Sequence, residues 1–288
     1  MSAFRGRQRG PVLLLGGGGM LGRAWAQRLD ARDIAYHAPT HAQLDLCDLT
    51  AMARQVTADF PLVVNCAAWT DVDGAEANEA AATKLNGDAV GALGRRCAAV
   101  NALLVHYSTD YIFDGSASKP YGVDHPTSPV NAYGRSKLKG ETLLGESGCP
   151  HLLVRTSWLY APWGKNFVRT IARLACERPT LSVVNDQRGR PTSCEHLAAA
   201  TLKLLEQNKT GAWHITDGGA CTWYEFAKEI AQYVHPQCKV EPCSTNEFPR
   251  PAKRPAYSVL DITRTEAALG PMPDWRDNLA DVLKRMES

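Results

Sequence analysis

The sequence predicts an α/β fold, a doubly wound parallel sheet followed by a smaller C-terminal part. Three observations lead there. Short apolar runs alternate with stretches of helical spacing from residue 12 to residue 156, the order that βαβ units require. Four of the five runs are apolar almost throughout, as strands covered by helices on both faces are. Four glycines follow the first run directly and precede the first helical stretch.

In chain order, "VLLL" (12–15), "IAYHA" (34–38), "LVVN" (62–65), "ALLVHY" (102–107) and "HLLVRT" (151–156) are the expected strands. The stretches 20–31, 49–60, 76–100 and 131–145 are rich in Ala, Leu, Lys and Glu at helical spacing and are expected helices. Beyond Thr156 the pattern loosens. A loop with Trp, Pro and Gly (157–166) precedes a helix near 167–176, a short strand "LSVV" (181–184) and a helix near 195–205. Then come "WHI" (213–215), a helix near 224–234 and a last helix after Trp275. Pro249, Pro251 and Pro255 deny "EFPRPAKRP" a regular helix or central strand, so that segment either hangs free or wraps a ligand.

At 288 residues the chain sits near the length at which single cores give way to two. Hydrophobic residues make up 44 % and charged residues 22 %, and no apolar run nears a membrane span, so a soluble protein with no membrane partner is expected. The formal charge is +2 and basic residues are scattered apart from Arg5, Arg7 and Arg9, which argues against a nucleic-acid surface. The apolar run behind that basic tail is too brief for a signal-peptide core, and disorder is the default expectation for residues 1–10. Nine cysteines, an odd number without C-x-x-C spacing, argue against a disulfide framework or a zinc site. Reduced thiols in a cytoplasmic protein are expected.

In "LLLGGGGMLGRAW", Gly16, Gly19 and Gly22 fall as G-x-x-G-x-x-G between a strand and a helix. Glycine permits a tight turn and lets the backbone approach a pyrophosphate, whose charge the helix N-terminus favours. Such a triplet alone marks any turn. Placed in the first β-to-α turn of the series, it points to a dinucleotide and a Rossmann-like domain. Residues 10–157 are accordingly the expected NAD(P)-binding domain, and 158–288 mainly a substrate domain partly interleaved with it. The second strand ends in "AYHAPTH", with no carboxylate for an adenosine ribose, while Arg23, His37, Thr40 and His41 lie near in sequence. NADPH is therefore expected, with NADH the alternative. Asp45 is placed to accept from the adenine amino group, whereas Asp48 suits a helix cap better. Small residues Cys66, Ala67 and Ala68 at the carboxyl end of the third strand leave room for a cofactor, or simply pack tightly.

"NAYGRSKLKGE" sets Tyr133 and Lys137 one helical turn apart. A neighbouring ammonium favours phenolate and is expected to lower the tyrosine from its usual pKa of about 10. That makes a proton donor and acceptor usable near neutral pH, while Lys137 can also bind cofactor ribose hydroxyls. Alone, such a pair is common on solvated helix faces. Its context is "HYSTDYIFDG", which sets Ser108, Thr109, Asp110 and Tyr111 at the end of the fourth strand, where a hydroxyl could polarise a carbonyl. The loop 115–131 is long enough to lie across such a site.

These segments resemble the extended short-chain dehydrogenase/reductases and, within them, the family of dTDP-4-dehydrorhamnose reductases. The resemblance runs through "VVNCAAWTDVDGAE", "HYSTDYIFDG", "PYGVDHPTSPVNAYGRSKLKGE", "VRTSWLYAPWGKNFV", "VVNDQRGRPTS", "WHITDGGACTWYEFA" and "EFPRPAKRPAYSVLD". It implies NADPH-dependent reduction of dTDP-4-dehydro-6-deoxy-L-mannose to dTDP-L-rhamnose, with a nucleotide sugar as substrate. It implies Thr109, Tyr133 and Lys137 as the catalytic set, and sugar contacts from Thr109, Asp110, Tyr111 and Trp158. The cofactor positions it implies are Gly16, Gly19, Met20, Leu21, Gly22, Asp45, Leu46, Ala67, Ala68, Trp69 and Tyr107, with Tyr133 and Lys137 again. Arg188 and Arg254 are candidate diphosphate partners, because a guanidinium can bond phosphate bidentately; surface charge is the plainer alternative. Some members hold a divalent ion at a dimer interface through glutamates. Here Ala24 stands where one such acid would be, although Glu195 remains, so no resident metal (Mg2+) is expected and a homodimer stays open. Hydride transfer of this kind needs no metal for its chemistry. The alternatives are reduction of another nucleotide-linked 4-keto sugar, or a non-catalytic cofactor-binding regulatory subunit of the same fold.

Overall fold

Strand β1 (Val12–Leu15) is aliphatic and buried at every position, so it can only be an inner strand with both faces covered. In the computed structural model, which describes residues 10–287, it pairs in parallel with β2 (Tyr36–His37) and with β3 (Leu62–Asn65). The cluster Arg5, Arg7 and Arg9 lies outside the described residues. Beyond β3 come β4 (Leu103–Thr109) and β5 (His151–Thr156), also parallel. Four short strands follow, β6 (Leu159–Tyr160), β7 (Thr180–Val184), β8 (Arg188–Gly189) and β9 (Thr192–Ser193). β10 (Gly211–His214) then returns to the main sheet as its sixth strand, parallel to β5. β11 (Cys221–Thr222) pairs with β8, and β12 (Lys239–Cys243) with β7.

The main sheet has the order β10-β5-β4-β3-β1-β2. Its connections reverse direction between β1 and β3, and the crevice beyond the carboxyl ends of strands at such a switch point is where α/β sheets take ligands. Helices Met20–Asp30 and Cys194–Glu206 cover one face, burying Trp25, Leu29, Leu197 and Leu204. Leu49–Gln55, Ala89–Ala99 and Ala132–Gly145 cover the other, around Met52, Leu93 and Leu144. A second core gathers Tyr160, Phe226 and Trp275 from helices Phe167–Glu177, Trp223–Val234 and Trp275–Glu287 and their neighbours. No helix among the described residues is long and apolar enough to cross a membrane, and all nine cysteines are free thiols.

The α/β class with a parallel sheet is as the sequence predicts, but several elements differ. The helix expected over 76–100 is broken into Val72–Ala77, Glu79–Thr83 and Ala89–Ala99, with a π-helical turn at Lys84–Asp88. The cause is Asn86, turned inward to accept from the Trp69 amide at 2.8 Å and to donate to the Trp69 carbonyl and the Ser136 hydroxyl at 3.0 Å each. A widened turn is a common way to re-aim one side chain. The helix expected over 49–60 stops at Gln55, because Val56 is already extended, and the expected strand 34–38 keeps only Tyr36 and His37.

Candidate active site

Gly16 ends β1 with φ +73°, a left-handed conformation that favours glycine, and a Cβ there would stand 2.6 Å from the Ala67 nitrogen. At Gly22 a Cβ would come within 2.1 Å of the Gly16 carbonyl oxygen, so glycine is what lets the helix approach the strand end. Gly19 caps Met20–Asp30 with no side chain bonded to the first amides, and around Gly18 no atom lies within 4 Å of where a Cβ would stand. An uncapped helix N-terminus with an open approach fits a pyrophosphate. The Met20 carbonyl accepts from the Trp163 indole at 3.1 Å, which brings the loop after β6 against the turn. Ala67, Ala68 and Trp69 lie across the switch point, half-buried. Leu46 is buried, while exposed Asp45 accepts from its own loop through the Cys47 amide at 2.8 Å. Asp48 caps Leu49–Gln55 through the amides of Thr50 and Ala51. Arg23, His37, Thr40 and His41 are all exposed.

The catalytic candidates meet at the end of β4. Helix Ala132–Gly145 starts at Asn131, whose side chain accepts from the Gly134 amide at 2.7 Å. A Cβ on Gly134 would stand 2.2 Å from the Tyr111 carbonyl oxygen, so glycine there lets Tyr133 come against Tyr111, edge to face at 6.1 Å. Lys137 is 2 % exposed and donates to the Tyr107 carbonyl at 2.5 Å. The Tyr107 hydroxyl points the other way, accepting from Trp25 at 2.7 Å and donating to Thr201 at 3.1 Å. What Tyr107 offers the site is thus its carbonyl, not its phenol. Thr109 accepts from the Tyr111 amide at 3.1 Å and donates its one hydroxyl proton to Asp110 Oδ1 at 3.0 Å.

The expected lowering of the Tyr133 pKa is not what the structure has. Burial pushes the phenol well up and the Asp110 carboxylate pushes it further, while the Thr109 hydroxyl opposes both. The Lys137 ammonium is turned to a carbonyl, and burial brings its pKa down to about 8. Burial raises Asp110 to about 7 against the opposing hydroxyls of Ser258 and Thr109.

Among the candidates for sugar and diphosphate, Trp158 sits at φ +49° and stacks on Trp223 with ring centroids 3.5 Å apart. A non-glycine residue in that region is held there by its surroundings. Arg188 is exposed, donating to the Ala220 carbonyl at 3.1 Å and lying 3.7 Å from Glu225. Arg254 is half-buried in a bidentate pair with Asp73 and lies against Tyr111. The proline-rich segment does not hang free. It is laced across the molecule by Asp73, by Asn131 donating to the Lys253 carbonyl, and by main-chain bonds from Arg188 to Ala256 and from Tyr257 to Gly115. Sequence reasoning missed Asp73, Asn86 and Asn131; only Asn131 carried a local signal, as an N-cap residue before a helix.

Among the described residues no group of three or more His, Cys, Asp or Glu is placed to hold a metal ion. Glu195 is instead paired with Arg285, and Ala24 is buried.

The family described as RmlD substrate binding domain matches residues 10–288. The chain is 40 % identical over 281 residues to a dTDP-4-dehydrorhamnose reductase of Streptomyces griseus, covering 93 % of this chain and 91 % of that one. It is also 40 % identical over 275 residues to a probable dTDP-4,6-dihydroxy-2-methyloxan-3-one 4-ketoreductase of Streptomyces antibioticus, covering 93 % of each. The crystal structure of a dTDP-4-dehydrorhamnose reductase from Bacillus anthracis in complex with NADP superposes with a TM-score of 0.91 at 33 % identity, covering 96 % of this chain and 99 % of that one. With matches spanning nearly the whole chain, it belongs to the RmlD substrate-binding-domain family, that of the dTDP-4-dehydrorhamnose reductases.

Proposed function

We propose that this chain is an NADPH-dependent oxidoreductase that reduces the 4-keto group of dTDP-4-dehydro-6-deoxy-L-mannose to give dTDP-L-rhamnose. The observation that carries the reading is the convergence of Thr109, Tyr133 and Lys137 at the end of β4, beside a glycine turn that fits a pyrophosphate. Relatives named for this reaction, one of them solved with NADP, support it. Residues 10–157 would carry the cofactor and 158–288 mainly the nucleotide sugar. The absence of a carboxylate after β2 supports NADPH over NADH, and the free thiols support a reducing, cytoplasmic setting.

NADPH, when bound, supplies the hydride. Tyr133 gives its proton to the C4 oxygen as the carbonyl becomes a hydroxyl, and Lys137, which donates to the Tyr107 carbonyl, would bond the ribose hydroxyls of the cofactor. Thr109 can donate to that oxygen only when its proton is not spent on Asp110. A protonated Asp110 therefore frees it, while an ionised one holds it back. Tyr111 and Trp158 flank the sugar, and Arg188 and Arg254 meet the diphosphate.

Two other readings separate cleanly. The relative named as a 4-ketoreductase of a different dTDP-sugar makes sugar specificity a matter for assay, and turnover across several dTDP- and UDP-4-keto sugars distinguishes the two substrates. A silent regulatory subunit would bind NADPH without oxidising it. Following absorbance loss with purified chain alone, and identifying the product, tests all three.

A further inference from the structure

Asp73 belongs to none of the expected sites, yet three groups of one distant segment converge on its carboxylate. The two Nη atoms of Arg254 reach its two oxygens at 3.0 Å each. The Ala252 amide donates to Oδ1 at 3.2 Å, and Arg250 Nη1 stands 3.8 Å from Oδ2. The carboxyl is held below the usual carboxylate range, first by the Arg254 hydrogen bond. On its other side Arg254 lies against the Tyr111 phenol, and Tyr111 meets Tyr133 edge-on. One acid on Val72–Ala77 thus decides where the guanidinium stands relative to the tyrosines of the site. Without it, two like charges would lie side by side with nothing to hold them together. With it, they form a fixed group of net charge +1, and Asp73 takes only two of Arg254's five N–H donors.

We propose that Asp73 is a positioning residue for the substrate's diphosphate, gathering Arg250 and Arg254 into a single cationic clamp at the edge of the site. This rests on the reading above that Arg254 meets the diphosphate, and it adds Arg250 as a second contact. The clamp has a counter-intuitive consequence. On charge alone, deleting a carboxylate beside an anion site should tighten anion binding. If the carboxylate positions the cations, its loss weakens binding.

The test is calorimetric titration of Asp73→Asn and of Arg250→Ala with dTDP and, separately, with NADPH. Asp73→Asn should weaken dTDP binding about tenfold, leave NADPH affinity within about twofold, and place the turnover loss in KM more than in kcat. Arg250→Ala, at an exposed side chain, should weaken dTDP binding severalfold, and less than additively in the Asp73→Asn background. Unchanged or tighter dTDP binding by Asp73→Asn, or unchanged binding by Arg250→Ala, would overturn the clamp. So would equal weakening of NADPH and dTDP, the mark of a merely structural role. Failure of the wild-type chain to bind dTDP would instead bring down the reaction reading, and the clamp with it.

Discussion

The ammonium of Lys137 donates to the main-chain carbonyl of Tyr107 at 2.5 Å, tying the helix that carries Tyr133 to the strand that carries Thr109. The lysine is 2 % exposed, so a charge is kept where burial disfavours it. Groups held in that way are more often retained for function than for stability.

Replacing Lys137 by Met should therefore stabilise the free protein while abolishing most turnover. Burial lowers the lysine from 10.5 to about 8, a penalty of at most about 3 kcal/mol, of which the lost bond to Tyr107 returns about 1. The sign is fixed by linkage. Below pH 8 both folded and unfolded chains are protonated and the penalty is complete; between 8 and 10.5 the folded chain releases its proton first, and wild-type stability rises toward that of the variant. Thermal melts across pH 7 to 10.5 should show a gap of a few degrees that closes at the alkaline end. A variant that melts lower at pH 7 would contradict this.

Tyr133→Phe removes only a hydroxyl. Turnover should fall by about 100-fold or more, the usual range for a lost general acid, with NADPH affinity nearly unchanged. A variant keeping most of its NADPH oxidation would remove Tyr133 from the proposed chemistry.

Arg155 and Glu141 form a buried pair, with side chains 9 % and 6 % exposed and a closest approach of 2.8 Å. Arg155 also donates to the Val123 carbonyl at 2.7 Å, so the pair joins β5, the Tyr133 helix and the loop 115–131. Glu141→Ala leaves a buried guanidinium unpaired and should cost about 3–5 kcal/mol in denaturant unfolding. A loss under about 1 kcal/mol would mean that water reaches the arginine.

Gly22→Ala sets a methyl against the Gly16 carbonyl at 2.1 Å, so the helix must move off the strand end. NADPH affinity should fall about 100-fold or more. Gly18→Ala, with open space around its Cβ position, should leave the melting temperature unchanged, separating a ligand effect from a folding effect.

Four of the five strands were readable because buried parallel strands are aliphatic at nearly every position, and the Tyr133 to Lys137 spacing because it is helical; the half-exposed Tyr36–His37 gave no such run and was drawn too long. What stayed hidden depends on contacts distant in sequence. Nothing near Asn86 says that it will turn inward to Trp69 and Ser136 and widen its helix. Gly211–His214 reads as a strand of the second half until it pairs with β5. The direction of the Tyr133 shift was missed because i, i+4 spacing names the lysine as neighbour, whereas in the fold the phenol is first buried and then faced by Asp110. Asp73 and Arg254 are 181 residues apart, beyond any local pattern.

Asp110 closes the set. It is 2 % exposed, and burial raises it from 3.8 to about 7. In the window between those values the folded chain holds a proton that the unfolded chain has released, so wild-type stability falls as pH rises from 4 to 7 and the cost is complete above 7. Its upper bound is about 4 kcal/mol. Asp110→Asn keeps the shape without the charge. The variant should match the wild type near pH 4 and exceed it by about 1–3 kcal/mol at pH 8 in denaturant unfolding. Its turnover should also lose the part of any decline centred near pH 7, because an amide does not ionise and can donate to the Thr109 oxygen, leaving that hydroxyl free for the substrate, while a decline near pH 8, where Lys137 gives up its proton, should remain. Equal stability at pH 8 would mean that the carboxylate is solvated. A decline centred near pH 7 surviving unchanged in the variant would mean that Thr109 is governed by another group.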